Sequence, residues 1–170
     1  MQYRSNTELE ELLDKTLTCS SILEEAVADV YFQLRNKIND PHIALVFETI
    51  SQESRKHASI LRSIAILVGL KRVDVDCREY LGELYASVER VLSRLQIVKE
   101  LSKDEVRDIV EKLYVVEYFA GEETYHKLLL PLVRELLPAS SKLIEELINK
   151  IIEDEEFHER AVKIVLESIR

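Results

Sequence analysis

Apolar residues recur along almost the whole chain at intervals of three and four, the period of an α-helix that buries one face. Near the start, Leu13, Leu17, Ser20, Glu24, Val27, Tyr31, Leu34 and Ile38 share such a face. Further on, Val46, Ile50, Ile60, Leu61, Ile64 and Val68 define an apolar sector that also takes in Glu53 and His57. A third set is Val115, Phe119, Glu122, His126, Leu129 and Val133, and a fourth is Ile144, Ile148, Ile151, Glu155, His158, Val162, Leu166 and Ile169.

The punctuation between these stripes sets the expected boundaries. Thr7-x-x-Glu10 reads as a capping box opening a first helix that runs to about Lys37. Asn39-Asp40-Pro41 is a tight break, with Asp40 as N-cap and Pro41 at the first helical position. The second helix then runs to Val68 and ends at Gly69. A connecting segment follows, and from Cys77 to about Lys99 it carries its own amphipathic pattern. Ser102-x-x-Glu105 is a second capping box; it opens a helix that reaches about Leu137, with a kink expected at Pro131. Pro138 and Ser140-Ser141 start the last helix.

The four main helices are each roughly thirty residues, long for globular helices but suited to a bundle. They are joined tightly in pairs, with a long connection between the pairs. The pattern predicts an all-α fold: an antiparallel four-helix bundle with one long crossover containing an additional helix, in a single domain over residues 1–170. The Cys77–Lys99 helix is expected either to cover one end of the bundle or to form a dimer contact.

Composition narrows the function. Three glycines and three prolines in 170 residues leave little material for β-turns. A net charge of −9 argues against a nucleic-acid binder, which usually carries a basic stripe. No apolar run approaches the about 20 residues of a membrane span, and the N-terminus does not read as a signal peptide, so a cytoplasmic protein is expected. Cys19 and Cys77 form no Cys-x-x-Cys, which excludes a zinc ribbon or a rubredoxin-type iron site. In a cytosolic chain they are expected to be ordinary helix-face residues, not a disulfide.

Each polar interruption of an apolar face has an ordinary reading by itself. A core histidine often bonds a backbone carbonyl, and a glutamate often snorkels at a boundary. His42, in the first turn of the second helix, and Glu25, rotated away from Glu24, read as solvated. The four helices together are harder to dismiss. Each carries an acid on its apolar face near mid-length, and buried charge is costly unless it is paired or binds a metal. One glutamate from each of two helices, with glutamate and histidine from each of the other two, is the donor set of a dinuclear carboxylate site. The candidate ligands are Glu24, Glu53, His57, Glu122, Glu155 and His158, with His126 as an additional candidate. Carboxylate and imidazole donors without thiolate suit iron, manganese or zinc, and the sequence does not choose among them.

These residues resemble the rubrerythrin branch of the ferritin-like diiron superfamily. Glu155-Glu156-Phe157-His158-Glu159 is similar to that family's fourth-helix motif, and Glu48-Thr49-Ile50-Ser51-Gln52-Glu53 with Lys56-His57-Ala58 to its second. Ala120-Gly121-Glu122 followed by Leu130-Pro131 is similar to the third, and Glu24 with Tyr31 to the first. The chain departs from the pattern at three places. Glu53-x-x-x-His57 stands where the family has Glu-x-x-His, with Ser54 in the usual glutamate place; either a π-bulge restores the geometry or the ion is held differently. The place of an extra third-helix glutamate falls on Tyr125 or His126. With Cys19 and Cys77 the two cysteines of the 170 residues, no rubredoxin domain is expected beside the bundle.

The resemblance implies two bound iron ions, with manganese, a mixed iron–manganese pair or zinc left open. They would react with hydrogen peroxide or dioxygen in a peroxide reductase or ferroxidase, and a separate electron-donor protein would supply reductant. Tyr31 and Tyr125 would hydrogen-bond the ligating carboxylates. Iron oxidation with storage or sequestration, a diiron oxygenase with an organic substrate, and a vestigial site are the competing readings. A homodimer is expected, with neither nucleic acid nor membrane as partner.

Overall fold

The computed structural model describes residues 6–70, 75–137 and 141–169. They form α1 (Asn6–Arg35), α2 (Pro41–Leu67), α3 (Cys77–Leu81), α4 (Glu83–Ile97), α5 (Lys103–Tyr118), a π-helical segment (Phe119–Leu129), α6 (Leu130–Leu136) and α7 (Ser141–Ser168). The described residues contain no strand. The long helices α1, α2, α5 with its continuation, and α7 make the expected all-α, ferritin-like bundle, with the crossover between the second and third. None of the described helices is long and apolar enough to cross a membrane.

Local chemistry explains most boundaries. Asp40 caps α2, its Oδ1 accepting from the backbone N–H groups of His42 at 2.8 Å and Ile43 at 3.2 Å. Beyond the end of α2, the Leu70 N–H reaches back to the Ala65 carbonyl at 3.3 Å. Gly69, at φ 68°, adopts the left-handed conformation that this closure requires. Ser102 and Glu105 form the complete capping box of α5. Thr7 is not a cap, because the helix is already under way at Asn6, and α1 ends at Arg35, short of Lys37. The start expected for the last helix at Pro138 and Ser140 lies outside the described residues.

The third long helix is irregular upstream of the place expected. Over Phe119–Leu129 its hydrogen bonding widens, and the N–H of Leu130 bonds to the carbonyl of Tyr125, five residues back. Pro131 then falls in the first turn of α6, where its missing N–H matters least.

The crossover is two helices, not the single Cys77–Lys99 helix. Gly82, at φ 56° and ψ −131°, separates α3 from α4. Val88, Val91 and Leu95 of α4 pack into the core against α1 and α5, so the crossover covers a flank of the bundle. The cysteines are also paired, against expectation. Cys19 of α1 and Cys77 of α3 form a disulfide with a Cα–Cα distance of 5.2 Å. Both are buried, and one turn away Thr16 Oγ1 and the Tyr80 hydroxyl hydrogen-bond at 2.8 Å. Linear spacing could not reveal this pair, since only the fold of the crossover along α1 brings position 77 to position 19.

The core is divided. One cluster, including Leu23, Tyr31, Phe47, Ile109 and Val162, fills the half of the bundle that α4 flanks. The other, including Leu13, Leu61, Leu129 and Ile148, fills the opposite end. Between them lies a buried layer of charged side chains.

Candidate metal centre

Two groups of donors meet in that layer and share one member. Glu24 from α1, His57 from α2 and Glu155 from α7 form the first, and Glu117 from α5, Glu155 and His158 from α7 form the second. Within each group one ligand atom per residue lies within 4.8 Å of the others. His57 Nδ1 stands 2.9 Å from Glu155 Oε1 and 3.8 Å from Glu24 Oε2. His158 Nδ1 stands 3.3 Å from Glu117 Oε2 and 3.5 Å from Glu155 Oε1. All five side chains are buried. The arrangement has the form of a dinuclear site with Glu155 as the shared carboxylate.

Each histidine is backed by a carboxylate on its other ring nitrogen. His57 Nε2 lies 3.2 Å from Asp154 Oδ2, and His158 Nε2 lies 2.9 Å from Glu53 Oε2. Lys150 and Lys56 also bond Asp154, the latter at 3.1 Å. Burial works against the Asp154 carboxylate, but Lys150, His57 and Lys56 hold it down at about 2. Asp154 is therefore ionised and can only accept, so His57 carries a proton on Nε2 and turns Nδ1 toward Glu24 and Glu155.

The electrostatics are those of a site built for cations. Burial, reinforced by repulsion from Glu155, pushes Glu24 up to about 8. Burial likewise raises Glu155 to about 8, with Glu117 adding repulsion. Burial opposes a charge on His158, yet Glu117 and Glu155 outweigh it and push the imidazole up to about 12. Burial opposes ionisation of Glu117 as well, and His158 overrides it, leaving Glu117 below the usual carboxylate range. The Tyr31 and Tyr125 phenols are held well above their ordinary value, chiefly by burial and then by the carboxylates beside them. Tyr125 donates a hydrogen bond to Glu24 Oε1.

The donor set also passes a test of fit. His57 Nδ1, His158 Nδ1, Glu117 Oε1 and Glu155 Oε1 are all buried without a well-directed hydrogen-bond partner. Such orphaned groups are costly and rare in folded proteins. These four, of eight such atoms among the described residues, belong to the two donor groups, so a pair of ions bound there would satisfy them together. Ser54 Oγ, in the place where a glutamate was expected by resemblance, is likewise buried and unpartnered.

The structure brings Glu24, His57, Glu155 and His158 together as the sequence suggested, and it moves the other assignments. Glu122 does not join the donors. Its side chain is 39% exposed and pairs with His126 at 3.3 Å and Lys127 at 3.3 Å. His126 is exposed beside it, and Tyr125 takes the inward place. Glu53 backs His158 from outside the donor groups. No π-bulge occurs at the Glu53-x-x-x-His57 spacing, since α2 is α-helical throughout. Regular helix puts His57 and Ser54 inward and leaves Glu53 at the edge.

Glu117 and Asp154 were missed. The face that chose Glu122 ran through Val115 and Phe119, which are 58% and 41% exposed. The buried stripe is Val106, Ile109, Leu113 and Val116, and its continuation lands on Glu117. The π segment then changes the phase of the helix, so a regular period cannot be carried from Leu113 to Leu129.

A cavity of about 280 Å³ reaches the donors between α5 with its π continuation and α7. Glu117 and Glu155 line its inner part, and Glu122, Glu156 and Glu159 line it nearer the surface. Among known proteins, the family model for rubrerythrin matches residues 15–166 of the chain. No curated protein and no solved structure matches it.

Proposed function

The chain belongs to the rubrerythrin family of ferritin-like diiron proteins, and from that premise we propose that its centre holds two iron ions and reduces hydrogen peroxide. The observation that carries the reading is the pair of buried carboxylate–histidine groups joined through Glu155. Glu24 and His57 would hold one ion, Glu117 and His158 the other, and Glu155 both. When bound, a ferrous pair supplies two electrons, one from each ion, which with two protons convert hydrogen peroxide to two waters and leave both ions ferric.

The protein's own groups support this chemistry. Asp154 and Glu53 fix the imidazole rings from behind. The Tyr125 hydroxyl holds a proton against Glu24 Oε1, and Tyr31 places a second buried phenol beside Glu117. The two apolar clusters close the bundle above and below the centre, which leaves the side between the π segment and α7 as its approach. The adjoining cavity is small and lined mainly by carboxylates, which favours a small polar oxidant over an apolar organic substrate. A separate donor protein would return the electrons, and the assembly would be a homodimer.

The test is anaerobic. The chain is loaded with ferrous iron, freed of excess and titrated with peroxide. The expected result is two iron ions oxidised per chain by one equivalent of peroxide. Iron that is bound at two per chain but is oxidised only by dioxygen would instead favour a ferroxidase. A chain that retains no iron removes the proposal.

A further inference from the structure

We propose that the cavity between the π segment and α7 is the loading route of the centre, with Glu122, Glu156 and Glu159 forming an acidic mouth that captures a hydrated divalent cation and passes it to Glu117 and Glu155. The inference rests on the metal-centre reading above and adds how the ions arrive.

Three observations converge on it. First, the cavity joins an outside to an inside. Its outer lining includes Glu156, with a side chain 65% exposed, and Glu122 at 39%. Its inner lining is Glu117 and Glu155, each 2% exposed. Second, the inner end belongs to the donor set. Glu117 Oε1 and Glu155 Oε1 are buried without a well-directed hydrogen bond, Glu155 Oε1 standing 2.9 Å from His57 Nδ1, and both residues belong to the donor groups. Third, the size suits the traveller. The cavity, about 280 Å³, has room for several waters around an ion.

The charge of the mouth selects cations. The lining carries five carboxylates and no basic side chain. The basic groups nearby contact residues of the mouth but do not line the cavity: Lys127 and His126 each stand 3.3 Å from Glu122, and Arg160 stands 3.9 Å from Glu156. Glu159 accepts a hydrogen bond from Tyr114 at 3.0 Å, which holds its carboxylate in place. A recess lined by one sign of charge focuses the field, raising the local concentration of the opposite ion and its rate of entry. Inside, Glu117 and Glu155 are the members of the donor set that also line the cavity, so an ion meets them first.

The larger cleft, about 570 Å³, is the natural rival. It lies between the start of α1 and the end of α2, also has acidic residues in Glu10 and Glu11, and touches none of the five donors. It therefore serves as the control.

Cobalt(II) is the probe, since its visible absorption reports uptake into a carboxylate–histidine site. Metal-free chain is mixed with cobalt in a stopped-flow instrument at low ionic strength. Glu122→Gln/Glu156→Gln/Glu159→Gln should load about tenfold or more slowly, and Glu156→Lys should also slow loading. The final stoichiometry and spectrum should match the parent, because none of the three is a donor. Added salt should slow the parent and narrow the gap. Glu10→Gln/Glu11→Gln should load at the parent rate. Equal rates in all variants, or equal slowing by the control pair, overturn the loading route while leaving the centre intact. A parent chain that takes up no cobalt overturns the metal-centre reading, and the route with it.

Discussion

Asp154 Oδ2 lies 3.2 Å from Nε2 of His57, on the side of the ring that faces away from the donors. Its neighbour in sequence, Glu155, faces the other ring nitrogen of the same histidine at 2.9 Å. Adjacent residues of α7 thus hold the imidazole from both sides. Outer carboxylates of this kind fix the tautomer and ring orientation, and losing one typically costs 10–100-fold in metal affinity. Asp154→Asn should therefore weaken binding of one ion by about 10–100-fold while the chain stays folded. Glu53→Gln should weaken the ion at His158 in the same way. Competition with a chelator of known affinity measures each loss, and an affinity unchanged in both variants would count against the positioning role.

Glu117 and Glu122 provide a sharper contrast. Glu117 is a buried donor, and Glu122 is a partly exposed residue of the cavity mouth. Glu117→Gln should reduce tightly bound metal from two ions per chain toward one. Glu122→Gln should leave the stoichiometry at two. Metal analysis after exhaustive desalting decides between them, and the opposite pattern would restore Glu122 as a ligand.

That contrast also shows what the sequence can convey. The bundle, the long crossover, Glu24, His57, Glu155 and His158 were all legible, because they lie on α-helices whose apolar period is unbroken. Glu122 was misplaced because the third helix changes its hydrogen-bonding register at Phe119, and no pattern of apolar residues marks that change locally. Glu53 stands outside the donor groups for a different reason. The apolar sector that took it in is broad, and the regular helix turns its neighbour Ser54 inward and leaves Glu53 at the edge. The Cys19–Cys77 bridge depends on tertiary approach alone.

Protonation gives the metal-free chain an expected pH dependence. Glu24 and Glu155 hold their protons to about pH 8 in the folded chain, against an ordinary value of 4.5. Between these values the folded state binds more protons than the unfolded, so stability falls as pH rises. His158 acts in the same direction: its contribution is fully present below 6.5 and is lost as pH rises toward about 12. Glu117 opposes them only in acid, since its contribution is lost as pH falls below 4.5. Urea midpoints of the metal-free chain should therefore be higher at about pH 5.5 than at about pH 8. Metal binding displaces these protons, so calorimetry near neutral pH in buffers of different ionisation enthalpy should show proton release. Uptake without proton release would contradict the assigned protonation.

The disulfide should matter for stability more than for metal binding. It ties positions 58 residues apart, and the chain-entropy description of such a cross-link gives about 4 kcal/mol. Cys19→Ala/Cys77→Ala should lower the unfolding free energy by up to that amount. Metal stoichiometry should persist, since the donors sit on α1, α2, α5 and α7 and none on the bridged crossover. Both sulfurs are buried, so mild reductant should cleave the bond slowly unless the chain is first loosened by denaturant. Immediate reduction of the native chain would show that the crossover opens freely.

Gly121 controls how closely the π segment approaches α7. A Cβ at this position would stand 2.9 Å from the Cβ of Glu155, closer than folded proteins tolerate. The obstructing atom is the root of the side chain of the shared donor, which cannot swing aside without moving the α7 backbone. Overpacking of this kind costs about 1–3 kcal/mol, even though alanine favours helix over glycine by roughly 1 kcal/mol. Gly121→Ala should therefore destabilise the chain and also displace Glu155, weakening both ions at once. A helix-propensity effect alone would stabilise and leave binding unchanged. Thermal unfolding and metal titration of the one variant separate the two, because only the close approach to Glu155 predicts that stability and both affinities fall together.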